Sequence, residues 1–184
     1  DFQGDVLAFY QTILANSDTN IFLYNIPQIA AQIPLDAVRE LVAHERILGI
    51  KDSSGDMDYF KGILEIRKEM LDAKLNKACL LSLDETNSSA YAKKILNERT
   101  REREFGFTIL QGSETLALES LRLGADGLVP SMANVYPSEL SSLYHNQDEA
   151  LQRWLDDQSF LYRQGNTPQQ GLKEELIDIG VTYD

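Results

Sequence analysis

Four short apolar runs, each closed by a polar or glycine-containing cluster and each followed by a helical pattern, constrain this chain more than any other feature. They are Ile21-Phe22-Leu23-Tyr24-Asn25-Ile26, Ile47-Leu48-Gly49-Ile50-Lys51, Thr108-Ile109-Leu110-Gln111-Gly112 and Gly127-Leu128-Val129-Pro130-Ser131. Runs rich in branched and aromatic residues predict strands, the first two buried on both faces. Between them, apolar residues recur at helical spacing over about 34–44, 57–70 and 115–123, with a further helix from 137. An opening helix carries Leu7, Tyr10 and Leu14 on one face, and the tail from 145 to 184 reads as C-terminal helices. Strands alternating with helices imply a parallel sheet with right-handed crossovers.

The 184 residues suit one domain. One connection is unusually long. Residues 72–104 are polar and carry 7 basic and 6 acidic groups, so a surface insertion is expected there, with an extra helix over 90–103. Its charge run reads as a solvated helical face.

The chain as a whole is acidic, with a net charge of −12. That argues against nucleic acid and anionic membranes as partners, because both repel an acidic surface. No apolar run approaches the ~20 residues that span a bilayer. The opening Asp1-Phe2-Gln3-Gly4-Asp5 has no basic segment, so no secretory signal is expected. A single cysteine, Cys79, permits no internal disulfide and suits a reducing cytoplasm. His44 and His145, with no paired cysteines, do not match a zinc-site spacing, and no metal site is expected.

In a parallel α/β fold the strand C-termini share one edge, and in a (β/α)₈ barrel that edge carries the chemistry. Tyr24, Lys51, Ser53, Gly112, Glu114 and Ser131 all fall at or just beyond those ends. Lys51 is the most informative. An apolar wall around an amine disfavours its charged form and makes it a nucleophile toward a ketone. A strand-end lysine also snorkels to solvent in many folds, and Tyr24 could equally fill the sheet core. The Tyr24 hydroxyl could pass protons, since it both donates and accepts.

In order along the chain stand Tyr24-Asn25-Ile26-Pro27, Gly49-Ile50-Lys51-Asp52-Ser53-Ser54-Gly55-Asp56, Gln111-Gly112-Ser113-Glu114, Gly124-Ala125-Asp126-Gly127 and Ser131. This set resembles the dihydrodipicolinate synthase / N-acetylneuraminate lyase family of class I aldolases, over nearly the whole chain except 72–104. The resemblance implies the C-terminal half of a (β/α)₈ barrel, strands five to eight, followed by extra C-terminal helices. The N-terminal half, with its loop for a substrate carboxylate, is expected to be absent, so that the chain is part of a longer barrel. By resemblance Lys51 is the Schiff-base lysine and Tyr24 the proton shuttle, while Ser53, Gly112, Glu114 and Ser131 match substrate-binding positions.

The implied chemistry is reversible aldol cleavage of a 2-oxo acid, pyruvate-type or a 2-keto-3-deoxy sugar acid, without metal or organic cofactor, in a cytoplasmic homo-oligomer. Two other readings stand beside it. One is 4-hydroxy-tetrahydrodipicolinate synthase. Ile29, at the position of the arginine of the synthase branch, argues against it. The other is a non-catalytic half-barrel serving as an oligomerisation or ligand-binding module. An open four-stranded sheet would expose its apolar inner face and favour association.

Overall fold

The four strand segments pair in parallel in their chain order: β1 (Ile21–Asn25), β2 (Ile47–Asp52), β3 (Thr108–Gln111) and β4 (Gly127–Leu128). The computed structural model describes residues 5–82, 106–164, 168–178 and 180. Consecutive strands as neighbours, each reached through a helix, is the topology expected from the alternation of patterns.

The helices are α1 (Val6–Asn16), α2 (Leu35–Leu41), α3 (Met57–Ser82), α4 (Ala117–Leu123), α5 (Pro137–Asn146), α6 (Glu149–Tyr162) and α7 (Pro168–Asp178). Asp5 and Asp148 cap α1 and α6, each carboxylate accepting from two backbone N–H groups of the first turn.

Period-two alternation divides the sheet. Leu23, Ile50 and Ile109 are register partners, all fully buried. They pack with Val38 of α2 and Phe60, Ile63 and Ile66 of α3. Each such side chain contributes about 1.5–3 kcal/mol on burial. A second cluster joins Ala117 and Leu118 of α4, Leu140 and Leu143 of α5, Leu155 of α6 and Leu172 of α7.

The opposite face corrects the expectation that β1 and β2 are buried on both sides. Phe22 is 42% exposed, Tyr24 44% and Leu48 40%. Among the described residues, helices cover one side only of these strands. A shift in pairing between Ile21 and Phe22 leaves Leu48 opposite no residue of β1 and brings Phe22 level with Gly49. A Cβ on Gly49 would lie 2.2 Å from the Thr108 carbonyl oxygen and 2.5 Å from the tip of the Phe22 ring, so the close approach of β3 requires glycine there.

Three boundaries also differ from expectation. The fourth strand stops at Leu128 instead of reaching Ser131, because Pro130 has no N–H for a ladder and Ser131–Asn134 forms a 3₁₀ turn. The helix expected from Thr115 is preceded by a 3₁₀ turn at Glu114–Leu116 and becomes α-helical at Ala117. α3 continues past Met70 to Ser82, through a stretch with no proline or glycine. The first part of the expected insertion, 72–82, therefore extends this helix. The expected helix over 90–103 lies outside the described residues.

Candidate active site

Strand alternation places Tyr24 and Lys51 on the open face and their successors, Asn25 and Asp52, on the helix-covered face. The parallel register pairs Tyr24 with Lys51 and Asn25 with Asp52. On the open face, Lys51 Nζ stands 4.6 Å from the centroid of the Tyr24 ring, a cation–π contact. Lys51 is half-buried. Its ammonium emerges where the strand ends, beside an aromatic whose hydroxyl can carry protons.

The segment after β3 closes on this pair. Gly112 N–H donates to the Asp52 carbonyl at 2.7 Å, continuing the parallel ladder one residue beyond β3. A Cβ on Gly112 would overlap the Ser53 hydroxyl and lie 2.8 Å from Lys51 Cε. Glycine is therefore what lets Ser53 and the lysine stem meet the third strand's end. Ser53 N–H donates to the Asn25 carbonyl at 2.8 Å, which fixes its place next to β1. Lys51, Tyr24, Ser53 and Gly112 thus form one contiguous group at the C-terminal edge. Ser131 stands exposed at the start of the 3₁₀ turn that follows β4, on the fourth position of the same series.

Glu114 is placed otherwise. Expected as a ligand for substrate, it is 2% exposed, and its Oε1 accepts from Ser159 Oγ at 2.8 Å and from Arg163 Nη2 at 2.7 Å. Its backbone carbonyl accepts from Gln152 Nε2 at 2.9 Å. The carboxylate is engaged with α6 and the residue that caps it, a tertiary choice that the local sequence does not express.

Beneath this edge lies a polar network that the sequence motifs did not single out. Asp52 is fully buried and accepts from Asn25 Nδ2 at 2.8 Å, from Ser54 N–H at 3.1 Å and from Ser54 Oγ at 2.9 Å. Asn25, also fully buried, accepts the Ile33 N–H on its Oδ1 at 3.0 Å. The Tyr59 hydroxyl donates to the Ile33 carbonyl at 2.7 Å. Burial pushes the Asp52 carboxyl above its usual range against the lowering effect of its hydrogen bonds, and burial likewise raises the Tyr59 phenol. A signal for the network was present: in a strand, the residue after each open-face side chain must face the helices. The loop after β1 is tied down as well, with Gln28 Nε2 donating to the Ser53 and Ser54 carbonyls at 3.0 and 3.1 Å. Ile29 next to it is 77% exposed.

Among the described residues no cluster of three histidine, cysteine, aspartate or glutamate side chains could hold a metal ion. Nor, among them, is any helix long and apolar enough to cross a membrane.

Comparison with known proteins converges on one family. Residues 2–75 match the model of the Dihydrodipicolinate synthetase family. The 4-hydroxy-tetrahydrodipicolinate synthase of Methanospirillum hungatei is 26% identical over 136 residues, covering 73% of this chain and 35% of that protein. The 2-dehydro-3-deoxy-D-gluconate/2-dehydro-3-deoxy-phosphogluconate aldolase of Picrophilus torridus is 27% identical over 154 residues, covering 81% of this chain and 44% of that protein. Dihydrodipicolinate synthase from Bacteroides thetaiotaomicron shares the fold, with a TM-score of 0.67 at 23% identity over 96% of this chain and 52% of that one. The chain thus spans about half or less of the length of these relatives. The segment that carries Tyr24, Lys51 and Ser53 is thus similar to the Dihydrodipicolinate synthetase family, and the similarity to these curated relatives extends over most of the chain.

Proposed function

We propose that this chain carries the Schiff-base side of an aldol site acting on a 2-oxo acid, pyruvate-type or a 2-keto-3-deoxy sugar acid. The observation that carries the reading is Lys51 Nζ beside the Tyr24 ring at the C-terminal edge of a parallel sheet. The four strands would form half of an eight-stranded barrel. The exposed face bearing Phe22, Tyr24 and Leu48 is then the surface that the rest of a barrel or a second copy covers. A cytoplasmic homo-oligomer is part of the same proposal.

In this mechanism the Lys51 amine, once deprotonated, attacks the substrate's ketone carbon, and loss of water leaves an iminium. The iminium draws electrons from the C3–C4 bond. That bond breaks as the C4 hydroxyl gives up its proton, which Tyr24 takes and relays, and an aldehyde departs. The electron pair stays on C3 as an enamine. Protonation at C3 and addition of water then release the shortened 2-oxo acid and restore the amine. Synthesis is the reverse. In this reading Ser53 and Ser131 are the hydroxyls assigned to substrate, with Gly112 leaving room for it beside the lysine. Glu114 is not assigned that role, because Ser159 and Arg163 occupy its carboxylate.

A synthase reading has the Methanospirillum relative in its favour. The apolar, 77% exposed Ile29 stands against it, offering no charge to a second carboxylate.

Borohydride reduction in the presence of pyruvate tests the proposal. Peptide mapping is expected to place a stable adduct on Lys51, absent in Lys51→Arg. An adduct elsewhere, or none, overturns the reading and favours a non-catalytic module.

A further inference from the structure

We propose that Arg163, acting through Glu114, is a positioning residue for the active-site edge, so that the C-terminal helix α6 sets how the segment 112–114 meets Lys51. The inference rests on the reading above only in taking Lys51 as the reacting group.

The contacts form one continuous chain. Gly112 lies close enough that a Cβ on it would meet the Ser53 hydroxyl and Lys51 Cε, and its N–H is held by the Asp52 carbonyl at 2.7 Å. Ser113, the next residue, is buried, with its N–H donated to Gln111 Oε1 at 2.8 Å. Glu114 follows, its carbonyl accepting the Ala117 N–H within the 3₁₀ turn and its side chain reaching α6 and the residue that caps it. Arg163 Nη2 and Ser159 Oγ donate to its carboxylate, and Gln152 Nε2 donates to its carbonyl. Gln152 also accepts the Leu118 N–H at 2.9 Å, so one side chain joins α6 to both the 3₁₀ turn and α4. The segment is thus bracketed, by β2 on the side of the lysine and by α6 on the other.

The ion pair is asymmetric. Glu114 is 2% exposed, while the Arg163 side chain is 51% exposed. A buried carboxylate needs its charge compensated, and removing Arg163 weakens that compensation and favours movement of the carboxylate toward water. Movement of Glu114 toward water must carry Ser113 and Gly112 with it, since only two peptide units separate Glu114 from the residue against Lys51. A second pair on the same helix, Arg122–Glu149 at 3.0 Å, is exposed on both sides and bridges α4 to α6 without touching this segment. It supplies the control.

The test compares Arg163→Met, Arg163→Lys, Glu114→Gln and Arg122→Gln with the unmodified chain. Amide hydrogen exchange of the peptide containing 112–114 is expected to accelerate roughly tenfold in Arg163→Met. Arg163→Lys should restore most of the protection, Glu114→Gln should fall between, and Arg122→Gln should match the unmodified chain. Trapping of pyruvate on Lys51 should slow in the same order, by roughly tenfold in Arg163→Met, because misplacement at a reacting centre is costly in rate. Unchanged exchange over 112–114 in Arg163→Met overturns the proposal. So does a trapping rate that stays at the unmodified level while melting shifts, since the pair would then be structural only. Failure of the unmodified chain to trap pyruvate bears on the Schiff-base reading instead, and the exchange measurement still decides the positioning.

Discussion

Replacing Asp52 should separate two opposing contributions of a buried carboxylate. In Asp52→Ala the fully buried Asn25 amide loses its acceptor, whereas Ser54, half-buried, can turn to water. One unsatisfied buried donor costs about 1–3 kcal/mol. Loss of the charge works the other way, since burial penalises the ionised form of Asp52 and raises its pKa. The net expected at neutral pH is a destabilisation of about 2 kcal/mol, large against the total stability of a small domain. Asp52→Asn keeps an acceptor for Asn25 and removes the buried charge, so it should fall within about 1 kcal/mol of the unmodified chain.

The two substitutions also differ with pH. An acid whose folded pKa lies above its unfolded value of 3.8 binds its proton more readily when folded. Between the two values stability therefore falls as pH rises, and the penalty is complete above the folded pKa. Asp52→Asn abolishes that slope, so relative to the unmodified chain it should gain on going from acid to neutral pH. Urea unfolding at several pH values, with unchanged m, reads both effects. An Asp52→Ala stability within about 0.5 kcal/mol of the unmodified chain, the range of ordinary surface substitutions, would refute the argument that this network holds the two strand ends together.

Three further outcomes are expected. Gly112→Ala should cost about 1–3 kcal/mol through overpacking and slow trapping at Lys51, because its methyl overlaps the Ser53 hydroxyl; normal stability and trapping would show that the segment shifts freely. Tyr59→Phe should cost about 1–2 kcal/mol in urea unfolding, because the Ile33 carbonyl loses its buried donor. The Tyr136 phenol, raised to about 12 by burial and by its hydrogen bond to the Glu175 carboxylate, contributes stability that is complete below 10 and lost as pH rises through about 12; Tyr136→Phe should flatten that part of an alkaline unfolding profile.

The sequence by itself determined the repeating strand–helix order, the parallel sheet and the strand-end positions of Tyr24, Lys51, Ser53 and Gly112. These follow from local periodicity and from the rule that parallel strands end on one edge. It also contained, unread, the placement of Asn25 and Asp52, which alternation assigns to the helix-covered face. Tertiary structure alone decided the rest. Whether β1 is covered on one side or two depends on what packs there, and an apolar run looks the same in either case. Where Glu114 points depends on Ser159 and Arg163, 45 and 49 residues away. Ion-pair partners so distant in sequence are chosen by packing, because no periodicity links a loop to a helix that reaches it only after the chain has folded.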